Sequence, residues 1–501
     1  MSLTYLHILL SDHMCDCSSE EYQSSTVAAG INLAKLCIGT GILALPYATL
    51  HGGLIFSPIG IALIALWNGI ACTMLMRCKR AFKHNESLQK STQHLSSPYS
   101  RIAYAATGSL GVYTIDFSII ITLLGVCVTY QIAFASLVSD IPGSIFSIKI
   151  LTIISGLCVY PISCAKNVGI LAQYSLFGLV FLLIGITAIF GFGIYSFGLT
   201  SSKSSVVSQP LHNWPLSTED MTSYMGVAIF CFGVCSLVFP VEANMKKKNE
   251  INLAVLYCLL FVWSIYTVVG DGLALLYVHD ARGIMSNILQ NLPIQSTSAI
   301  AVRVSMAAVC LFTFPLTLVP PAQMIEQLIH HNLRGVLISS TSSKGLLSQA
   351  TSYTSIEASD SSNKVSINGD HNEESSGDMY SENIEEPPVL LRFSVRFVLI
   401  SMCTLLAISI PCFGDVISLL GSFTVSILSF VMPPILHYQL VSSQLQTGYN
   451  RIHLEFKNDC ISPRTQSFID IIFFVLGVCI CLFGTYINSV VVINKMNLRS
   501  C

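Results

Sequence analysis

Runs of about twenty apolar residues recur along the chain, and a helix crossing a bilayer needs roughly that many at 1.5 Å each. They fall near residues 26–48, 53–77, 112–138, 148–165, 169–198, 222–242, 251–278, 298–322, 391–410, 413–438 and 467–491. This pattern predicts eleven membrane spans. Composition agrees, with 52% hydrophobic and only 10% charged residues, against about 25% charged in a soluble domain. The fold class expected is an all-α polytopic membrane protein. Its parts are a cytoplasmic tail (1–24), spans one to eight (25–328), a loop (329–388), spans nine to eleven (389–492) and a short tail (493–501).

Positive charge sets the expected orientation, because Lys and Arg accumulate in cytoplasmic loops. The loop after span two carries Arg77, Lys79, Arg80, Lys83, Lys90 and Arg101, and the loop after span six carries Lys246, Lys247 and Lys248. Lys166 follows span four, and Arg451, Lys457 and Arg464 follow span ten. With the spans above, all of these lie on one side, opposite Lys149, Lys203 and Arg282. That places the N-terminus in the cytoplasm and the C-terminus outside or in a lumen. Residues 4–10 are apolar but short and lack a basic start, unlike a signal peptide. The segment 329–388 is rich in Ser, Asn, Asp and Glu, buries too little apolar surface to fold alone, and is expected to be disordered. Its end, Glu386-Pro-Pro-Val-Leu390-Leu391, matches an acidic dileucine signal, though the two leucines also simply begin span nine. The sequon Asn85-Glu86-Ser87 falls on the cytoplasmic side and is expected to be unused.

A net charge of −2 points to no nucleic-acid partner. Most of the eighteen cysteines, among them Cys37, Cys72, Cys127, Cys231, Cys235, Cys258 and Cys481, lie in apolar runs and read as small buried side chains. No Cys-x-x-Cys pair has metal-ligand spacing, so neither metal nor cofactor is expected. Nothing resembles a nucleotide-binding loop or an intramembrane catalytic cluster.

The first span is interrupted by Ile38-Gly39-Thr40-Gly41, with Pro46 within two turns. Glycine costs a helix roughly 1 kcal/mol per residue, so the helix is expected to break here. A break inside a membrane is tolerated only where it is buried in protein or lines a water-filled cavity; the alternative is glycine serving close helix packing. A break exposes carbonyls from one half-helix and N–H groups from the other, which suits the ammonium and carboxylate of a zwitterion. The N–H groups of Thr40, Gly41 and Ile42 are expected to hold the carboxylate. Carbonyls near Leu36–Ile38 and Phe230–Phe232 would take the ammonium. Five spans, then five, then one also implies inverted repeats with the site between the first helices of each half. Span six carries Gly226, Gly233 and Pro240, and its centre Phe230-Cys231-Phe232-Gly233 mirrors the Gly39–Gly41 step. Phe230 and Phe232 would shape the side-chain pocket, or serve as ordinary core aromatics.

Lys35 stands inside the first span, where an ionisable group is a functional hypothesis by default; a snorkelling lysine is the alternative. Asn32, Lys35 and Gly39 follow i, i+3, i+7 and so share one helix face. Asp271, flanked by apolar residues in VVGDGLALL, is the candidate proton site. His51 is a second candidate for sensing or relaying protons, or a plain interfacial histidine.

Asn32, Lys35 and IGTGILALPYA (Ile38–Ala48), followed by Gly52-Gly53, resemble the first helix of the amino acid/auxin permease family. FPVEANM (Phe239–Met245) resembles its sixth helix. Thr313–Glu326 (TFPLTLVPPAQMIE) resembles its eighth, and Phe413–His437, with Gly421-Ser422 and Pro433, its tenth. The resemblance implies a LeuT-like 5+5 inverted repeat with helices 1 and 6 broken, and secondary amino acid transport by alternating access. In the family's sodium-coupled branches an asparagine precedes the Gly-x-Gly step by four residues and helps ligate sodium; here that position is Lys35. Its ammonium would occupy the cation's place, which favours a proton as the co-transported ion. Thr313 and Thr317 would be the facing ligands if sodium were carried. An aromatic usual after the family's glycine is replaced here by Asp271, a departure. The partners implied are a small amino acid, a proton and the lipid bilayer, in a plasma or vacuolar/lysosomal membrane. A sodium-coupled transporter, and an amino acid sensor signalling through 1–24 and 329–388, are the alternatives.

Overall fold

The computed structural model describes residues 24–83, 89, 92, 95, 97–164, 175–199, 210–350, 388–410, 412–442 and 463–498. Residues 1–23, most of 351–388, the sequon Asn85-Glu86-Ser87, Lys90, Lys166, Lys203, Arg451 and Lys457 lie outside the described residues.

The apolar runs fold as helices because a bilayer leaves no solvent to satisfy backbone N–H and C=O groups. Helix α1 (Thr26–Cys37) starts at Ser25, whose hydroxyl accepts from the Ala28 N–H, and stops at Ile38. A 3-10 turn (Thr40–Ala44) and α2 (Leu45–Gly52) continue it at a bend of 55°. There follow α3 (Phe56–Lys83), α4 (Pro98–Thr107), α5 (Ser109–Ser139), α6 (Ile148–Ser163) and α7 (Ser175–Gly193). Helix α8 (Thr218–Cys231) is capped by the Ser217 hydroxyl, which accepts from the Asp220 N–H. A short α9 (Val238–Ala243) precedes α10 (Ile251–Tyr277) and α11 (Thr297–Ala350), the last running on through Pro315, Pro320 and Pro321. Then come α12 (Val389–Ser409) and α13 (Phe413–Leu420), π turns at Gly421–Val425 and Ile427–Val431, and α14 (Met432–His437). A third π turn (Tyr438–Ser442) and α15 (Pro463–Leu498) complete the order.

Seven described helices are long and apolar enough to cross a membrane, eight if the bent pair α1–α2 counts as one span. Helix α6 and the stretch Val180–Ser196 are shorter apolar helices. No strand forms among the described residues; Ser24 and Met245 make an isolated parallel bridge.

One unit comprises Met1–Pro321 and Phe397–Cys501. In it α1 and α3 both pack on α10, α8 packs on α13, and α15 packs on the π turns. Where α13 runs into the first π turn, its contact with α8 is backbone to backbone: a Cβ on Gly421 would sit 1.8 Å from the Gly226 carbonyl oxygen. Only glycine permits such an approach. Around the outside, Leu63, Leu66, Leu260, Val268, Leu482 and Tyr486 are exposed. An apolar surface this extensive is stable against hydrocarbon, not water. At one end the Ser24 N–H donates to Asn244 at 3.0 Å and the Lys246 N–H to Ser24 at 3.1 Å, while Lys79 pairs with Glu242. These contacts tie the start of α1 and the end of α3 to the end of α9.

The other unit is Ala322–Arg396. Within it the guanidinium of Arg396 on α12 meets Glu326 on α11 at 3.1 Å, with both side chains at most 3% exposed.

Candidate functional site

The break after α1 is made by two residues in extended backbone, Ile38 (φ −75°, ψ 90°) and Gly39 (φ −121°, ψ −161°). Any residue adopts such angles, so what distinguishes the two glycines is space. A Cβ on Gly39 would meet nothing within 4 Å. A Cβ on Gly41 would lie 2.9 Å from the Cys231 Sγ and 3.0 Å from the Phe230 ring. Gly41 therefore brings the two interrupted helices into contact, and Gly39 leaves room beside them.

Beyond α8 the chain turns tightly instead of continuing. The Phe232 N–H donates to Ile229 at 3.1 Å, Val234 to Phe232 at 2.6 Å and Leu237 to Val234 at 2.9 Å before α9 begins. Helix ends leave carbonyls without intrahelical donors, and here one side chain serves both. The Tyr266 hydroxyl, brought by α10, lies 2.8 Å from the Cys37 carbonyl and 3.0 Å from the Cys231 carbonyl. It carries one proton for two acceptors. Its ring stands edge-on to Phe232 at 5.3 Å. On the other side of the break, Tyr130 of α5 stands beside Thr40 and beside Thr317 of α11.

The structure thus gathers Ile38, Gly39, Thr40, Gly41, Ile42, Phe230, Cys231, Phe232 and Thr317. Ile42, Phe232 and Thr317 are wholly buried. Tyr266 and Tyr130 join this cluster without having been singled out in the sequence; an aromatic within an apolar run carries no signal separating it from core. Other candidates stand apart. Ala29, Gly30, Leu33 and Ala34 take the buried face of α1, which leaves Asn32 and Lys35 exposed. Thr313 donates to the Val309 carbonyl of its own helix at 2.7 Å. Asp271 accepts from Thr49 at 3.2 Å, and Thr49 lies 3.1 Å from Ser57, beyond the break toward the end of α2. There His51 pairs with Asp220 at 2.6 Å in the wall of a cavity of about 230 Å³, lined also by Leu50, Pro210, His212, Trp214 and Leu216.

The family described as transmembrane amino acid transporter protein matches residues 22–489, and the chain belongs to that family. The amino acid transporter ANT1 of Arabidopsis thaliana is 23% identical over 480 residues, covering 92% of this chain and 91% of that one. The proton-coupled amino acid transporter-like protein pathetic of Drosophila melanogaster is 23% identical over 427 residues, 81% of this chain and 75% of its own. Vacuolar amino acid transporter 3 of Saccharomyces cerevisiae is 25% identical over 307 residues, covering 61% of this chain and only 42% of that protein. A solved Na+-coupled sialic acid symporter in a substrate-bound outward-open state aligns over 97% of this chain and 96% of its own, at 11% identity and a TM-score of 0.45. That likeness is too loose to rest anything on. Family membership makes the chain a multi-pass membrane transporter of the amino acid class, not an enzyme.

Proposed function

We propose that the protein is a secondary active amino acid transporter that works by alternating access, with substrate held where α1 and α8 are interrupted. The observation that carries this reading is the open space beside Gly39 at the point where Gly41 meets Phe230 and Cys231. A zwitterion placed there has its carboxylate at the N–H groups of Thr40 and Gly41, which open the Thr40–Ala44 turn; the Ile42 N–H, expected to join them, donates to the Gly39 carbonyl at 3.3 Å. Its ammonium reaches the Cys37 and Cys231 carbonyls, which share the Tyr266 proton. Phe230 and Phe232 bound the side chain. The LeuT-like inverted repeat belongs to the same proposal, as does a cytoplasmic N-terminus in a plasma or vacuolar/lysosomal membrane.

The driving ion proposed is the proton. Support comes from the fly relative, whose name includes proton coupling; Lys35, expected at the cation's place, stands on the exposed face of α1 and lends none. The test is uptake of a labelled amino acid panel into proteoliposomes under a proton gradient and, separately, a sodium gradient. Accumulation that follows protons and ignores sodium is expected. Accumulation that requires sodium would overturn proton coupling and direct attention to Thr313 and Thr317. Binding without flux under either gradient would favour a sensor.

Gly39→Leu tests the site. Because the added side chain meets no existing atom at its Cβ, the fold is expected to survive, with stability changed by less than about 1 kcal/mol. Substrate binding should fall at least about tenfold, or 1.4 kcal/mol. Unchanged binding would place the substrate elsewhere.

A further inference from the structure

A second buried polar cluster lies where α14 and α15 meet. His437 ends α14, Ser442 ends the π turn that follows, and Gln466 and Asp470 stand one helical turn apart on α15. All four are at most 5% exposed. The His437 Nδ1 is 2.9 Å from both carboxylate oxygens of Asp470, and the Ser442 hydroxyl donates to Oδ2 at 2.5 Å. The Gln466 amide lies 3.3 Å from His437 Nε2.

Helix packing alone does not call for this. Well-packed apolar residues usually replace a buried ion pair at no loss of stability, and ionisable groups within membrane spans mark function by default. The cluster also has a matched partner for each of two protonation states. With neutral imidazole, Nδ1–H donates to the carboxylate, Nε2 accepts from the Gln466 NH2, and the pair carries one negative charge. With a proton on Nε2, the pair becomes imidazolium–carboxylate with no net charge, and a half-turn of the Gln466 amide presents its carbonyl to the new N–H. Either protonation state leaves every donor and acceptor of the cluster with a partner.

Charged and titratable groups on the neighbouring elements include Lys79, Arg80 and Lys83 at the end of α3 and Tyr438 in the π turn after α14. On α3, Cys78 lies within electrostatic range of Asp470 and of Arg77. On α4, Tyr99 donates to the Leu428 carbonyl and Arg101 to that of Leu95. Arg464 is exposed in the first turn of α15. At its far end α15 is held by a second polar joint, Lys495 to Asp415 of α13 at 2.8 Å. Asp470 and Lys495 are separated by about 37 Å of helix at 1.5 Å per residue. A change of charge at the His437 joint thus acts on one end of a helix pinned at the other.

Resting on the proton-driven transport proposed above, we propose that His437 and Asp470 form the proton-binding site that couples the gradient to transport. The test uses the full chain in proteoliposomes with the labelled protein amino acids as probe and two readouts: counterflow without a pH gradient, and accumulation under one. His437→Gln and Asp470→Asn are expected to keep counterflow within about threefold of the parent and to lose at least about tenfold in gradient-driven accumulation. Variants that keep accumulation overturn the proposal. A parent with counterflow but no proton-driven accumulation overturns it too, while transport itself stands; a parent without counterflow overturns both. If these two variants also lose counterflow, Gln466→Leu decides, because it leaves the ion pair intact. It should shift the pH midpoint of uptake by about half a unit or more, and an unchanged midpoint overturns the site.

Discussion

Gly421→Ala is expected to lower stability by about 3 kcal/mol or more, at the upper end of overpacking costs. The reason is the identity of the obstacle. The new methyl would lie 1.8 Å from the Gly226 carbonyl oxygen and 2.9 Å from the Phe230 backbone nitrogen. Neither atom can rotate away as a side chain would, so α8 and the π turn that continues α13 must separate as bodies. Thermal unfolding in detergent reads the effect directly. Gly484→Ala is the control, because its Cβ meets the Ser422 side chain at 3.3 Å and should cost less than about 1 kcal/mol. Equal losses for the two would show that the α8–α13 contact is looser than described. Because α8 ends in Cys231, whose carbonyl contacts Tyr266, Gly421→Ala should also reduce substrate binding.

Glu326→Leu is expected to cost about 3–5 kcal/mol, the usual loss when one partner of a buried ion pair is removed. Arg396, which is 3% exposed, would then lose the Glu326 carboxylate. Arg396→Leu should cost less, because Arg392 also acts electrostatically on Glu326 and partly takes over. The double variant should recover most of the loss, since apolar replacement of a whole pair is often neutral. Thermal unfolding of the three variants tests this. A double variant no better than the worse single one would show that the pair does more than neutralise itself.

Helix positions were legible because apolar runs of bilayer length leave the backbone no other way to satisfy itself. The Gly39–Gly41 interruption was legible too, although the reason there are two glycines was not. One faces open space and one faces Cys231 and Phe230, a difference in neighbours that no local pattern contains. Lys35 shows the limit of helical periodicity. Spacing put Asn32 and Lys35 on one face, but the side of α1 that packs is marked by Gly30, whose Cβ would meet the Ala254 carbonyl at 2.9 Å. Tyr130 and Tyr266 carry no signal in the sequence because their partners lie on other helices. Nor do His437 and Asp470, 33 residues apart, since pairing across helices is a property of packing rather than of sequence order. The three π turns between Gly421 and Ser442 also had no signature, as each inserts a register change into an otherwise continuous apolar run.

The bridge between Ser24 and the chain near Met245 has a consequence in time. The Ser24 hydroxyl and its acceptor at Asn244 are 220 residues apart, and ribosomes add about 5–20 residues per second, so the first waits roughly 11–44 s for the second. Helix α10, on which α1 packs, is made later still. During synthesis α1 must stay in the membrane without its main neighbour. The two interrupted helices acquire their common hydroxyl only once residue 266 has been translated, which makes the proposed binding site a late product of biogenesis even though the residues of the first break are made long before it.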